Sequence, residues 1–169
     1  MVAQPIALHA QNVVAELKSA GVTHVVWLPD SESNFMYEAM QEEPALNLVP
    51  VCREGEAMAV AAGLIMGGKK PVVLIQNTGF LESGDSIRGI CIDLKMPLVL
   101  MIGYRGFERE KPMTDTAGIF LEPALNMYGI PYTVVEEDEH LSVISKAVQE
   151  AQDPPHTVAV LIAVEYDTP

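Results

Sequence analysis

Apolar and polar positions along the chain alternate between two periods, one typical of helices and one typical of buried strands. Residues 5–20 place Ile6, Val13, Val14 and Leu17 at helical spacing and are followed by Gly21, so this pattern predicts a helix and then a turn. Residues 22–28 form a β-branched and aromatic run, which predicts a buried strand.

The same alternation continues to the end of the chain. It predicts further strands at 48–51, 71–75, 98–102, 132–135 and 157–164. It predicts further helices at 54–66, at about 83–94 and at 140–151. Two more helices are predicted to end at residue 40 and near 128–129. Several of the strands are apolar throughout, which indicates a parallel sheet covered on both sides. We therefore expect an α/β fold, a single three-layer domain in which helices cover both faces of a six-stranded parallel sheet.

Four segments of the predicted fold follow strands, and they are the first places to search for a ligand site. Parallel α/β sheets bind ligands at the carboxyl ends of their strands. The segments begin at Pro29, Cys52, Gln76 and Gly103, and 76–79 is expected to be a polar loop.

Composition and charge exclude several classes of function. A chain of 169 residues with 49% hydrophobic residues suits one domain with a substantial core. A net charge of -13 argues against nucleic acid as a partner. No apolar run is long enough for a membrane span and the first ten residues do not resemble a signal peptide, so we expect a cytoplasmic protein without membrane contact. Cys52 and Cys91 lack metal-binding spacing and are expected to be packed, reduced thiols.

The segment 52–63 is the strongest candidate for chemistry. It begins with Cys52-Arg53-Glu54-Gly55 and continues as an alanine-rich helix, which places Glu54 where a strand gives way to that helix. By position alone, Glu54 is also explained as an acidic residue favoured by the helix dipole. Phosphate-binding glycine loops and nucleophile motifs are not found in the sequence.

The pattern around Glu54 resembles the pyrimidine-binding (PYR) domain of thiamine diphosphate enzymes. The resemblance consists of Arg53-Glu54 at the start of the helix, Gly63 nine residues after the glutamate, and Gly68-Lys69-Lys70-Pro71 leading into a strand. Segments 28–31, 76–79, 104–106 and 129–132 are similar to sulfopyruvate and phosphonopyruvate decarboxylases. The resemblance implies one PYR domain over 1–169 with the thiamine diphosphate-binding fold.

The resemblance also implies roles for individual residues. Glu54 would be the catalytic residue, because a glutamate hydrogen-bonded to N1' of the aminopyrimidine promotes the imino tautomer that removes the C2 proton. The other cofactor-binding residues would be Pro29, Thr78 and Gly79. The substrate-binding residues would be Asp30, Ser31, Gln76, Asn77 and Arg105, with Arg105 suited to a sulfonate or phosphonate. Asp30 and Ser31 are equally explained as turn residues, and Arg105 as a surface bridge.

The family's diphosphate-binding motifs, Gly-Asp-Gly and a later Asn-Asn, do not occur in this sequence. The resemblance therefore implies that a partner β subunit holds Mg²⁺ and the diphosphate, in an α2β2 or larger hetero-oligomer, and that this chain holds no metal.

In its length this chain resembles the separate small subunits of sulfopyruvate decarboxylase, whereas phosphonopyruvate decarboxylases usually carry both domains on one chain. The resemblance therefore implies conversion of 3-sulfopyruvate to sulfoacetaldehyde and carbon dioxide. Phosphonopyruvate or another small anionic 2-oxo acid, and a non-catalytic binding or regulatory module, remain alternatives. One departure weakens the substrate assignment: Phe80 and Glu82 replace residues of the related decarboxylases, and they are expected to reshape the pocket or repel an anion.

Overall fold

The computed structural model describes residues 8–30, 33–34, 36–108 and 111–163, and these residues form a six-stranded sheet with helices on both faces. The strands are His24–Trp27 (β1), Asn47–Pro50 (β2), Pro71–Gln76 (β3), Val99–Gly103 (β4), Tyr132–Val135 (β5) and Val158–Ile162 (β6). Neighbouring strands all pair in parallel, in the order β2-β1-β3-β4-β6-β5. This arrangement confirms the predicted sheet.

One helix precedes β1, and the others lie between successive strands, as parallel pairing requires. They are Ala10–Ser19 (α1), Met36–Glu42 (α2), Glu54–Met66 (α3), Asn77–Glu82 (α4), Gly84–Ser86 (α5), Thr116–Tyr128 (α6) and Ser142–Glu150 (α7). A π-helical segment, Ile87–Asp93, follows α5, and a 3-10 turn, Asp138–His140, precedes α7. None of the helices in the described ranges combines the length and the apolar character needed to cross a membrane.

Two hydrophobic clusters cover the two faces of the sheet, because successive side chains of a strand point to opposite sides. The first cluster packs α1, α2 and α7 against one face, which includes Val25 and Val72. The second packs α3, α6 and the π-helical segment against the other face, which includes Val26 and Val73. The predicted three layers are therefore confirmed, and the helix that begins at Glu54 belongs to the second face.

Several predicted boundaries agree with the structure. The bounds of α3 and β5 are as predicted, and α6 ends at Tyr128 because Gly129 adopts a left-handed conformation with φ +67°. The first helix begins at Ala10, and residues 5–7 of its predicted range lie outside the described residues.

The segment 76–79 differs from its prediction as a polar loop. Gln76 is the last residue of β3, and α4 begins at the next residue. The backbone of Gln76 is extended (φ -89°, ψ 171°), so the chain passes from strand to helix without an intervening loop. The separate helix α4 was therefore not predicted, whereas the helix predicted at about 83–94 corresponds to α5 and the π-helical segment that follows it.

Candidate active site

The sheet changes its winding direction between β1 and β3. From β1 the chain proceeds to β2 on one side and then crosses to β3 on the other. Such switch points are the usual ligand sites of parallel α/β sheets. The segments that begin at Pro29 and Cys52 follow β1 and β2, and those at Gln76 and Gly103 begin with the last residues of β3 and β4. All four lie at the carboxyl edge, as predicted.

Glu54 is the first residue of α3 and follows β2 after the short connection 51–53. Its side chain is half-buried. Within the described residues, its carboxylate has no hydrogen-bond or ion-pair partner. The amino end of α3 favours a negative charge at this position. The arrangement leaves a carboxylate at the carboxyl edge of the sheet that can accept a hydrogen bond from a ligand.

Gly79, in the first turn of α4, lies directly against the Glu54 side chain. A Cβ atom built on Gly79 would lie 2.3 Å from Glu54 Cγ and 2.7 Å from Glu54 Oε1. Such separations are far shorter than van der Waals contact, so only glycine leaves space for the glutamate. Of the predicted cofactor-binding residues, Gly79 is thus brought next to Glu54, and its neighbour Thr78 is exposed on the same turn.

Glu82 lies one helical turn after Gly79 and also contacts the beginning of α3. Its Oε2 accepts a hydrogen bond from the Gly55 N–H at 3.1 Å, and its Oε1 accepts one from Arg53 Nε. The negative charge of Glu82 is therefore paired with Arg53. This pairing offsets the charge that was expected to repel an anion.

Phe80 was expected to reshape the ligand pocket, and this expectation is wrong. Its side chain is fully buried in the second hydrophobic cluster. The ring packs edge-to-face on Tyr128, with centroids 6.3 Å apart. The phenylalanine points into the core because Gly79 and Glu82 occupy the side of α4 that contacts α3.

Gln76 and Asn77 are adjacent in sequence but have different environments. Gln76 Oε1 is buried and accepts no hydrogen bond from the described residues. Buried polar atoms are almost always paired, so this acceptor is suited to a donor from a ligand. Asn77 is fully buried, and its amide is used internally: Nδ2 donates to the Arg105 carbonyl at 2.8 Å, and Oδ1 accepts from Thr78 N–H at 2.9 Å.

Arg105 follows β4 and is joined to the site through its backbone. Its carbonyl accepts the Asn77 hydrogen bond, while its half-exposed side chain pairs with Asp115, with Nε 3.2 Å from Oδ2. Asp115 also caps α6 by accepting the Ala117 N–H at 2.9 Å. The guanidinium is therefore held at the carboxyl edge by the carboxylate of Asp115. This contact agrees with the alternative explanation of Arg105 as a residue that bridges a surface loop.

The described residues after β1 are linked by hydrogen bonds. Pro29 is exposed, and Asp30 Oδ1 accepts a hydrogen bond from Ser33 N–H at 2.8 Å. The Ser33 hydroxyl in turn accepts the Trp27 indole N–H at 2.7 Å. Asp30 thus has the turn-forming role considered from the sequence, and Ser31 lies outside the described residues.

Ser33 and Asp115 organise this edge but were not predicted to, and Glu82 was considered only as a residue that reshapes the pocket or repels an anion. Glu82 was detectable in principle, because residues three apart on a helix share a face with each other. That relationship was hidden because 76–79 was predicted as a loop.

The acceptor groups at the edge fit an aminopyrimidine, which presents N–H donors. Among the residues that the structure describes, neither the Glu54 carboxylate nor the buried Gln76 Oε1 has a hydrogen-bond partner. In contrast, no group of three or more potential metal ligands occurs within the described ranges. A cleft of about 290 Å³ between residues that include Lys69, Pro71 and Pro97 lies at the opposite, amino edge of the sheet.

Comparison with known families agrees with this geometry. The model of the family "Thiamine pyrophosphate enzyme, N-terminal TPP binding domain" matches residues 9–116. The chain belongs to this family of thiamine diphosphate-dependent enzymes, which confirms the resemblance stated from the sequence. Solved structures agree on the fold: 2-oxoglutarate:ferredoxin oxidoreductase from Magnetococcus marinus superposes with a TM-score of 0.73 at 14% identity, covering 96% of this chain and 30% of that one.

Among curated relatives, the sulfopyruvate decarboxylase subunit alpha of Methanothermobacter thermautotrophicus is 30% identical over 165 residues, covering 93% of this chain and 96% of the relative. The same subunit of Methanococcus maripaludis is 26% identical and is covered to 95%. A phosphonopyruvate decarboxylase of Streptomyces viridochromogenes is 27% identical over 130 residues, which is 33% of its length. The chain therefore spans nearly the full length of the alpha subunits. It spans only about a third of the 2-oxoglutarate:ferredoxin oxidoreductase chain and of the phosphonopyruvate decarboxylase.

Proposed function

We propose that this chain is the alpha subunit of a thiamine diphosphate-dependent 2-oxo acid decarboxylase that converts 3-sulfopyruvate to sulfoacetaldehyde and carbon dioxide. The observation that carries the proposal is the position of Glu54. It is a half-buried carboxylate at the start of α3, against Gly79, in a chain of the thiamine diphosphate family.

Glu54 acts in this proposal as the proton-sharing partner of the cofactor's pyrimidine ring. Its carboxylate accepts a hydrogen bond from the protonated ring nitrogen and holds the ring in the tautomer that can act as a base. Bound thiamine diphosphate supplies the electron sink for the electrons released when carbon dioxide leaves. Gly79 allows the carboxylate to lie at the edge of the sheet, and Pro29 and Thr78 complete the cofactor contacts.

Neighbouring residues bind the substrate in this proposal. The Gln76 amide offers a buried hydrogen-bonding group. Asp30 and Ser31 are assigned to the substrate carboxylate, and Arg105 to the sulfonate. The Asp115 carboxylate holds the Arg105 side chain in place before the substrate arrives. Asn77 contributes by fixing the Arg105 backbone.

A partner subunit completes the active site in this proposal. The residues at the site edge, which include Pro29, Arg53 and Thr78, are exposed in the single chain. The outer surfaces of α3 and α6 also expose large apolar side chains, namely Met66, Ile119, Phe120 and Met127, and such surfaces favour association. We propose a β subunit that supplies the diphosphate-binding domain and Mg²⁺, in an α2β2 or larger assembly in the cytoplasm.

The choice of acid rests on the extent of the similarity. Alpha subunits named for sulfopyruvate are matched over nearly their full length, whereas the phosphonopyruvate enzymes are matched over a quarter to a third of theirs. Phosphonopyruvate remains the second candidate, since a phosphonate and a sulfonate present similar tetrahedral oxygens to a guanidinium.

The test is reconstitution of the chain with a co-purified or genetically adjacent β subunit that carries Gly-Asp-Gly and Asn-Asn. Carbon dioxide release is measured with 3-sulfopyruvate, phosphonopyruvate and pyruvate, with and without thiamine diphosphate. Glu54→Gln should lower kcat by at least about 10²-fold while assembly is retained. Glu56→Gln is the matched control, because Glu56 is exposed in the same helical turn.

Thiamine-dependent turnover that prefers 3-sulfopyruvate supports the proposal. Preference for phosphonopyruvate would replace the substrate and keep the chemistry. Absence of turnover with every acid would favour a non-catalytic module, and full activity of Glu54→Gln would overturn the role of Glu54.

A further inference from the structure

Helix α4 contacts Glu54 and both of its neighbours in sequence, Arg53 and Gly55. Gly79 lies against the Glu54 side chain, and Glu82 accepts a hydrogen bond from the next residue, Gly55, at 3.1 Å. Residues three apart on a helix face the same direction. One side of α4 therefore contacts both the carboxylate-bearing side chain and the backbone that carries it.

The start of α3 needs this contact because its own N-cap residue cannot provide it. Arg53 occupies the N-cap position and makes no side-chain capping hydrogen bond, since a guanidinium has no acceptor atom. Glu82 supplies the acceptor from another helix and pairs with Arg53 through its second oxygen. The packing around Gly55 is close, since a Cβ atom there would lie 3.4 Å from Glu82 Oε2 and 3.3 Å from Ser86 Oγ.

We propose that Glu82 is a positioning residue for Glu54. Its carboxylate joins Arg53 and the Gly55 N–H, fixes the first turn of α3 against α4, and so sets the direction in which Glu54 presents its carboxylate. The proposal rests on the proposed function for the role of Glu54. It does not require Glu82 to contact the cofactor or the substrate.

A competing role for Glu82 makes the opposite kinetic prediction. If Glu82 acted mainly as a negative charge that disfavours an anionic substrate, its removal would lower KM for the 2-oxo acid and leave kcat unchanged. If it positions Glu54, its removal lowers kcat and leaves KM within about twofold. The pairing of Glu82 with Arg53 favours the second outcome.

The experiment compares Glu82→Ala, Glu82→Gln and Glu56→Gln with the wild type, each as full chain in complex with the β subunit. We expect Glu82→Ala to lower kcat by about 10- to 100-fold, because a shift of about 1 Å in a reacting group costs this much. Glu82→Gln keeps the acceptor for Gly55 but loses the ion pair, so it should lie between Glu82→Ala and the wild type. Glu56→Gln should match the wild type.

Amide hydrogen exchange without cofactor is the second readout. Peptides covering the first turn of α3, 53–58, should exchange faster in Glu82→Ala than in the wild type, while peptides from β4 should be unchanged. Unchanged exchange at 53–58, or a lower KM at constant kcat, would overturn the inference. Absence of thiamine-dependent activity in the wild-type complex would overturn the proposed function instead, and exchange would then decide whether Glu82 holds the turn.

Discussion

Glu54 and Gly79 lie 25 positions apart in sequence, and the space that Gly79 leaves empty is filled by the Glu54 side chain. Gly79 lies inside α4 with ordinary helical geometry, so no backbone constraint demands glycine there. The requirement for glycine is a steric one, imposed by the glutamate.

Replacement of Gly79 by alanine should therefore impair function more than folding. The added methyl group would overlap Glu54 Cγ, so the glutamate must turn away from its present position. Thiamine-dependent kcat should fall by about 10²-fold for a displacement of this size, and the midpoint of thermal unfolding should change little. Gly63→Ala is the control, because a Cβ atom at Gly63 meets nothing within 4 Å. It should retain activity and gain about 0.5–1 kcal/mol of stability.

Phe80→Leu should destabilise the protein without changing substrate affinity. Loss of the edge-to-face contact with Tyr128 and of part of the buried ring should cost about 1–2 kcal/mol, measured by urea unfolding. KM for the 2-oxo acid should be unchanged because the ring points into the core. Phe120→Leu, at an exposed position on α6, should leave the stability of the isolated chain unchanged. A large change in KM in Phe80→Leu would contradict this description of the site.

The sequence predicted the layers of the fold because the relevant signals are local. A strand buried on both faces, such as Val158–Ile162, is apolar throughout, and a helix such as α3 ends at Gly67-Gly68. The sequence also predicted which residues lie at the carboxyl edge, because all strands of a parallel sheet end at the same edge. Glu54 was therefore predicted to lie at the carboxyl edge from its place after a strand.

The missed features depend on contacts between distant residues. The run Gln76-Asn77-Thr78-Gly79 has the composition of a turn, yet Asn77 is bonded to the Arg105 carbonyl and Gly79 is packed against Glu54. These contacts override the local preference and begin a helix. Glu82 was misjudged for the same reason, because its partner Arg53 precedes it by 29 residues.

Asn77→Ala should be strongly destabilising. The change removes two part-buried hydrogen bonds of a fully buried side chain, one to the Arg105 carbonyl and one from the Thr78 N–H, each of which contributes about 0.5–1.5 kcal/mol. Urea unfolding of the isolated chain measures the effect. Gln149→Ala removes an exposed amide from α7 and should stay within about 0.5 kcal/mol of the wild type. Equal stability of the two variants would show that the Asn77 amide is not structural.

Asp138 should make stability depend on pH in acid. It accepts hydrogen bonds from the His9 N–H at 2.9 Å and from Asn12 Nδ2 at 2.6 Å, and so holds the start of α1. Burial raises the pKa of Asp138, but these hydrogen bonds outweigh burial and lower the pKa below its ordinary value. The pKa of Asp138 is therefore lower in the folded chain than in the unfolded chain. Its charged form stabilises the fold at pH values above the unfolded-state pKa, and this contribution is lost as the pH falls through the folded-state pKa.

The wild type should therefore be more stable than Asp138→Asn at pH 6, and the difference should shrink below about pH 4. Urea unfolding over pH 3–6 measures it. The neighbouring exposed carboxylate supplies the control, since Glu139→Gln should follow the wild-type profile. A difference that is constant with pH would contradict the titration of Asp138 as its cause.

The two cysteines should differ sharply in reactivity, and the difference reports on the active site. Cys91 was expected to be packed and is buried, whereas Cys52 is exposed, contrary to expectation. Burial raises the pKa of the Cys91 thiol to about 11, although a hydrogen bond with Thr157 opposes this. Since the thiolate is the reactive form, a disulfide reagent at pH 8 should titrate one thiol in the native chain and two in denaturant. Cys52→Ser should abolish the native reaction.

The labelling of Cys52 also reports on the position of the partner, because Cys52 lies two residues before Glu54. Assembly with the β subunit should slow this labelling, and undiminished labelling in the active complex would place the partner away from this edge.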